Sequence, residues 1–507
     1  MNNTLTQKRL MRISSLCAWT ICLCVFWLCG ATLAAGDNSD QVSAARPNIV
    51  IILVDDLGWK DVGCYGSTYY HTPNIDSLAS QGVRFTDGYA ACAVCSPTRA
   101  AILTGKYPAR LMLTNWLPAG RWDPRSPLRE GRFLRQLPLE EITVAETLRT
   151  AGYHTGVIGK WHLGGHPFSS PAHHGFDTCI ATNDHGNPGN YFYPYQGEWK
   201  VPTTNLKVRW KVFDESISLT TKDGTREKGD NPKRKGEYLT DRQTDEAIAY
   251  MRQSKDEPLF LYLSYYAVHT PLQGKPELIK KYKKIPKDQR QGKPVYGAMV
   301  ECVDQNVGRI MEALRELKID DNTIVFFTSD NGGYYNATDH TPLRGNKGSY
   351  YEGGIRVPFI VRWPGVARAG ATSDYPVMCT DIYPTCAAAA GISPDASHVC
   401  DGVDLRPLLE KGTPPERDAL FWHFPHYNGH PSSYPSSVIR KGPWKLIEVF
   451  DPPHRELYNL ANDIGETTNL IEKHPDKAAQ LLKELQQWWA DVGAEMMCPN
   501  PGAAKKP

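Results

Sequence analysis

The chain has 507 residues, 41% hydrophobic and 22% charged, enough apolar material for a large core and too much for general disorder. Its formal charge is +2; the first 35 residues hold Lys8, Arg9 and Arg12 and no acid, and removing these three from 57 bases leaves 54 against 55 acids. A near-neutral chain argues against a nucleic-acid binder, which would carry a basic face.

In chain order, the basic start is followed by an apolar stretch from Ile13 to Ala34. The small residues of Ala31-Thr32-Leu33-Ala34-Ala35-Gly36 then give residues 1–35 the order of a cleavable export signal. The apolar run is also about as long as a membrane span, so an uncleaved anchor is the alternative. Residues 36–46 read as a polar linker. Pro47 to Val54 is an apolar, largely β-branched run that stops at Asp55-Asp56-Leu57-Gly58, as expected of a strand buried on both faces. Pro73 to Gln81 predicts a short helix closed by Gly82. Val144 to Ala151 predicts another, before a strand near Thr155 to Ile158. Thr240 to Gln253 is an amphipathic helix, Leu259 to Ser264 a strand, and Val295 to Leu317 a long helix. Ile324 to Ser329 is a second buried strand, ending at Asp330-Asn331-Gly332. Thr203 to Gly236 reads as a polar, basic surface excursion. Ser437 to Phe450 alternates like an antiparallel strand, and Lys473 to Val492 is a closing amphipathic helix.

Strands alternating with helices imply an α/β fold: a large central mixed, mostly parallel sheet flanked by helices over 47–400. A smaller C-terminal α+β domain with an antiparallel sheet is expected over 401–498, then a loose tail, 499–507. Thirteen cysteines are present, four of them in the signal. Export would permit disulfides among the other nine, in a pairing that sequence does not fix. A single Cys92-x-x-Cys95 and a single His162-x-x-x-His166 lie too far apart for a zinc finger.

Two buried strands that end in Asp55-Asp56 and Asp330-Asn331 place four oxygen-bearing side chains where α/β sheets bind ligands, a set suited to a hard divalent cation. Either pair alone is equally a turn former. Cys95-Ser96-Pro97-Thr98-Arg99 opens a short helix, with Pro97 in its first turn, so Cys95 should meet the positive end of a helix dipole. An isolated cysteine there would otherwise read as a buried thiol.

Taken together these motifs resemble the type I sulfatases of the alkaline-phosphatase superfamily, from Pro47 to about Ala490. Cys-x-Pro-x-Arg is that family's modification signal. The resemblance implies that Cys95 is oxidised to formylglycine by a maturation enzyme, that Arg99 holds it, and that Asp55, Asp56, Asp330 and Asn331 ligate one calcium ion together with the modified Cys95. Lys160-Trp161-His162-Leu163-Gly164, His269-Thr270-Pro271 and Lys347-Gly348 match the family's other motifs, and Leu457-Tyr458-Asn459-Leu460 resembles its C-terminal stretch. The implied chemistry is hydrolysis of a sulfate ester. Arg99, Lys160 and Lys347 bind the sulfate oxygens, His269 protonates the leaving alcohol and His162 serves as base. Asn346 departs from a position that is often glycine in the family.

Trp116, Arg121, Asp184, His185, Arg344, His423 and His426 are candidates to line a subsite for a sulfated sugar of the galactose or N-acetylgalactosamine type. A secreted or periplasmic site follows from the signal, with no nucleic-acid partner and no membrane once the signal is cleaved. The alternatives are a phosphatase or phosphodiesterase of the same superfamily and a non-catalytic carbohydrate-binding relative.

Overall fold

The apolar run from Pro47 to Val54 forms an inner strand of the main sheet. A computed structural model describes residues 46–503, apart from 118–121, 166–167, 394–396 and most of 201–234. In it β1 (Asn48–Val54) is buried at every position. Alternate side chains of a strand point to opposite faces, and the packing follows. Val50, Ile52 and Val54 meet α1 (Pro73–Ser80) and three later helices, α4 (Leu239–Ser254), α5 (Pro276–Lys283) and α6 (Pro294–Glu316), in one core. Ile49, Ile51 and Leu53 meet α2 (Cys95–Thr104), α3 (Val144–Thr150) and α7 (Ile382–Ala389). Each such side chain contributes roughly 1.5–3 kcal/mol by leaving water. Thr143 and Glu146 close a capping box at the start of α3, with the Thr143 amide donating to the Glu146 carboxylate and the Glu146 amide to the Thr143 hydroxyl.

The eight-stranded sheet adds β2 (Val83–Phe85), β3 (His154–Gly159), β4 (Thr178–Ile180), β5 (Leu259–Ser264), β6 (Thr323–Ser329), β7 (Phe359–Arg362) and β8 (Ala371–Ser373). Its order is β8-β2-β7-β6-β1-β5-β3-β4. Only β7 runs against the others, so the sheet is mixed and mostly parallel, as the sequence predicts. Of the polar excursion, Lys207–Lys211 pairs with Gln196–Lys200, and Leu219–Thr220 pairs with Arg226–Glu227; the rest, up to residue 234, lies outside the described residues.

A four-stranded antiparallel meander follows: β9 (Leu420–Phe424), β10 (Ser436–Lys441), β11 (Trp444–Phe450) and β12 (Pro453–Asn459), with α8 (Pro475–Val492) against it. The alternation expected as one strand over Ser437–Phe450 is therefore a hairpin of two. Gly442, at φ +56, and Pro443 make the turn, and the alternation on either side concealed it. The inner face of this sheet shares a core with Tyr89, Val94, Ala101 and Met378, and the Trp422 indole donates to Ala90 O at 2.8 Å. The start of the expected loose tail is also tied down, while residues 504–507 lie outside the described residues. Cys498–Pro499 pairs with Leu128–Arg129, and the Asn500 amide donates to the carbonyls of Pro124 and Ser126. All nine cysteines of the described chain are free thiols, and no helix among the described residues is long and apolar enough to cross a membrane.

Where the meander meets the main sheet, buried Lys445 lies 2.8 Å from both Glu352 and Glu466. Glu352 also receives Arg356 Nε at 2.6 Å and the Tyr89 hydroxyl at 2.7 Å. Burial pushes the Glu466 carboxyl up to about 7 from an ordinary 4.5, with Lys445 opposing and Glu352 adding to the rise. A raised carboxyl favours the folded state at low pH and loses that contribution as pH climbs from the unfolded value through about 7. Glu466→Gln removes the titration. The melting temperature of the wild type relative to this variant should fall between pH 4.5 and about 7; a pH-independent difference in scanning calorimetry would count against the assignment.

Candidate active site

Four neighbouring parallel strands end in register. Val54 of β1 lies opposite Ser329 of β6, Leu53 opposite Ser264 of β5, and Ser264 opposite Gly159 of β3. The residues that follow must therefore emerge at one edge: Asp55-Asp56 from β1, Asp330-Asn331 from β6, Lys160 to His162 from β3, and the loop to His269 from β5. Gly159, at φ +108, is required at its turn, because a Cβ there would fall 1.8 Å from Ser264 O. Asp56 and His162 hold the left-handed conformation at φ +61 and +58, an uncommon state that places both side chains at the same edge. Cys95 enters from the face of the sheet, at the first turn of α2.

Three carboxylates and three cations meet there, all buried. Arg99 donates to Asp330 Oδ2 from Nε at 2.9 Å and from Nη2 at 2.7 Å, and from Nη1 to Ser264 Oγ at 2.5 Å and Lys160 O at 3.0 Å. Lys160 Nζ lies 2.6 Å from Asp55 Oδ2, and Lys347 Nζ 2.6 Å from Asp56 Oδ1. The Asn331 amide also donates to Asp56 Oδ1, at 2.7 Å. Burial raises the Asp55 carboxyl well above its ordinary value, and the charge of Asp330 adds to this. For Asp56 burial is outweighed by Lys347 and His269, and for Asp330 by Arg99 and Lys160, so both stay below the usual range.

Lys347 Nζ is 3.5 Å from Cys95 Sγ. Burial would raise this thiol, but Lys160 and Lys347 outweigh it and hold it at about 6. His269 lies with Nε2 3.6 Å from Asp56 Oδ2, and its Nδ1 meets Thr270 O at 2.7 Å. A carbonyl only accepts, so Nδ1 carries hydrogen. Burial and Lys347 oppose the imidazolium, but Asp56 and Asp55 win and raise its pKa. His162 is the opposite case. Burial, with the charge of Lys160, pushes it well below 6.5. Its Nε2 donates to Leu117 O at 2.5 Å, which leaves the lone pair at Nδ1, a buried atom with no hydrogen-bond partner.

Donor atoms of Asp55, Asp56, Cys95 and His269 all lie within 4.8 Å of one another. Asp55 Oδ1 and Asn331 Oδ1 are buried without a hydrogen-bond partner. Buried oxygens without hydrogen bonds, in a cluster of three carboxylates, are what a hard divalent cation would satisfy, so the residues present fit such an ion.

Residues 47–392 match the sulfatase family, and residues 346–492 match the family described as N-sulphoglucosamine sulphohydrolase, C-terminal. The chain belongs to the sulfatase family. Like the members it resembles, this sulfatase hydrolyses sulfate esters. A sulfatase of Formosa agariphila is 32% identical over an alignment covering 95% of this chain and 97% of that protein. The human N-acetylgalactosamine-6-sulfatase is 32% identical, over 74% of this chain and 68% of its own. The crystal structure of Ps i-CgsB in complex with k-i-k-neocarrahexaose superimposes with a TM-score of 0.71 at 31% identity, covering 87% of this chain and 92% of that one. The sulfatase thus has the alkaline-phosphatase-like sheet expected from its sequence.

The structure gathers Cys95, Arg99, Lys160, His162, His269, Lys347, Asp55, Asp56, Asp330 and Asn331 in one buried cluster. Arg99, expected on the sulfate oxygens, instead spends its guanidinium on Asp330, Ser264 and the Lys160 carbonyl, and so braces the acids. Asp184 and His185 pair at 2.7 Å in a loop that covers His162, and the Asn183 carbonyl accepts from the His162 amide. Gly186 allows this cover, since a Cβ there would come within 2.8 Å of the imidazole. Trp116 is half-buried beside Leu117 at the same rim. Arg121 lies outside the described residues. Arg344 is engaged by Tyr458 Oη at 2.8 Å and Glu466 O at 3.0 Å and lies over the Tyr351 ring. His423 and His426 are 4% and 0% exposed. The first bonds Ser437 and Glu495 O, and the second bonds Thr114, so neither faces a sugar. Sequence reasoning missed Ser264, which ties Arg99 to the Lys160 carbonyl, and Ser96, which fixes the Leu117 amide at 3.1 Å. Nothing distinguishes either from an ordinary serine until the strands are in register.

Arg99→Ala leaves Asp330 buried without its cation. Chemical denaturation should show a loss of about 3–5 kcal/mol; a loss under about 1 kcal/mol would mean that Arg99 does not brace the acids.

Proposed function

We propose that this sulfatase removes sulfate from a carbohydrate ester, with a formylglycine made from Cys95 as nucleophile and one calcium ion beside it. The observation that carries this is the setting of Cys95: a buried helix start, its thiol held at about 6 by Lys160 and Lys347, against an acid cluster with unpaired oxygens. Sγ of the unmodified residue stands in for an oxygen of the hydrated aldehyde. That hydrate supplies two hydroxyls, one to attack sulfur and one whose ionisation expels sulfate, and the calcium ion supplies a Lewis acid that favours the ionised hydroxyl. Asp55, Asp56, Asp330 and Asn331 would hold the ion.

The chain's own residues supply the rest. Lys347 and Lys160, both buried, offset the charge of the sulfate oxygens. Arg99 acts one step back, as a positioning residue for Asp330. His269, with its raised pKa and hydrogen at Nδ1, carries a proton at Nε2 for the departing alcohol oxygen. His162, neutral and with its lone pair at Nδ1, takes the proton whose loss frees sulfate. Support for a sugar comes from the relatives: one is an N-acetylgalactosamine-6-sulfatase, and one was crystallised with k-i-k-neocarrahexaose. The reading of residues 1–35 as an export signal would agree with a secreted or periplasmic site of action.

Active protein should yield, in mass spectra of the tryptic peptide ending at Arg99, an aldehyde or its hydrate at position 95. It should lose activity to a chelator and regain it with calcium, and it should prefer sulfate to phosphate esters. Cys95→Ala should lose on the order of 10³-fold or more in kcat. Unmodified cysteine in a fully active preparation would overturn the nucleophile. The two histidines separate in pre-steady-state kinetics. His269→Ala should slow alcohol release by about 10²- to 10⁴-fold. His162→Ala should release about one equivalent of alcohol per enzyme and then stall. Uniform slowing of both variants without a burst would refute the division of roles.

A further inference from the structure

The near-neutral charge of the chain hides a local excess. The nineteen positions from Lys275 to Lys293 hold eight basic residues and two acidic ones. They begin just past the His269-Thr270-Pro271 turn at the catalytic edge. Within this stretch α5 exposes Lys280, Lys281 and Lys283. The chain then turns back to line an open surface depression, a shallow cavity of about 430 Å³, with Lys287, Arg290 and Lys293, together with Tyr335, Asn336 and Thr338.

The cavity is built into the fold. Gly292 bridges Thr338 antiparallel, and the Lys293 amide donates to Ala337 O at 2.8 Å. Arg290 donates from Nε to Ile285 O and from Nη2 to Lys283 O, which fixes the guanidinium at the cavity wall. Lys293 Nζ is held 2.8 Å from Asn336 Oδ1. The floor is also registered to the catalytic edge. Thr338 Oγ1 donates to Asp61 Oδ1 at 2.8 Å, and Asp61 Oδ2 accepts from the Gly58 amide and from Tyr296 Oη, which also donates to Asp56 O. A second connection is aromatic. Tyr335, 45% exposed, packs edge-on to Tyr334 at 4.7 Å between ring centres, and the preceding Gly333 carbonyl accepts from the Lys347 amide at 3.0 Å. Fixed cations beside an exposed aromatic ring suit an anionic sugar: the ring covers the apolar face of a pyranose while the cations meet its sulfate or carboxylate.

We infer that this basic cavity is a second anion subsite, which holds another sulfate or carboxylate of a polyanionic glycan while the reacting sulfate ester sits at Cys95. It rests on the carbohydrate reading above and extends it from a sulfated sugar to a multiply charged chain.

The test uses the full-length, calcium-loaded sulfatase and the double variant Lys287→Glu/Lys293→Glu. Lys411→Glu, an exposed cation on another element, is the control for general attraction. Kinetics on a multiply sulfated galactan hexasaccharide are compared with those on 4-nitrophenyl sulfate, and binding of the end-labelled hexasaccharide is followed by fluorescence anisotropy. The double variant should raise KM for the hexasaccharide by about tenfold at low salt, an effect that fades as salt screens the site, with kcat and the aryl sulfate kinetics unchanged. Binding should weaken by a similar factor. Equal binding by wild type and double variant, or an equal loss in Lys411→Glu, would overturn the subsite. If the wild type turns over neither sulfate ester while the double variant still loses binding, the hydrolytic reading fails and the subsite stands.

Discussion

Everything at the catalytic edge depends on keeping three carboxylates together in a place without water. Two unit charges about 4 Å apart repel by about 4 kcal/mol at the effective dielectric of a protein near its surface, and by more in a dry interior. Asp55, Asp56 and Asp330 are tolerated because Lys160, Lys347 and Arg99 stand against them one to one. In formal charge these three acids and three bases cancel. The same balance explains why Arg99 is buried completely: a cation free to reach substrate would not be free to hold Asp330.

The balance is possible because the strands end level. β6, β1, β5 and β3 are adjacent and parallel, so one row of register delivers Asp330, Asp55, Lys160 and the loop to His269 to a single line. A slip of one residue in any of them would turn a charged side chain into the hydrocarbon core. The apolar alternation along β1, packed by helices on both faces, makes that slip costly. The core thus fixes the position of the charges.

Much of this was legible before the fold was known. Long apolar runs that stop abruptly at acids mark buried strands, and every such run is a strand with its acids at one edge. The cysteine, the two lysines and the two histidines were found through the order of their motifs. What stayed hidden has a common physical character. Ser264 and Ser96 work through hydrogen bonds to residues far along the chain or across a loop, and no local pattern encodes a partner. His423 and His426 look like surface histidines because sequence carries no measure of burial, yet hydrogen bonds to neighbouring elements let the core accept them. Arg344 presents the same difficulty, since Tyr458 of the meander and Glu466 just after it lie more than 100 residues later. The Gly442-Pro443 turn was overridden by a regular alternation that continued on the far side.

The helix that carries Cys95 is buried along its whole length, from Cys95 to Thr104. It is pressed between the main sheet, through Ile102 and Leu103, and the meander, through Ala101. Pro97 and Arg99, the other fixed letters of its signal, are out of reach in the finished fold. That sets an order in time. A maturation enzyme that reads this stretch as a peptide has to act while the chain is still open, and once the meander has docked an unconverted cysteine is sealed in place. If Cys95 is converted as proposed, the fraction of active molecules is decided by a race between modification and folding.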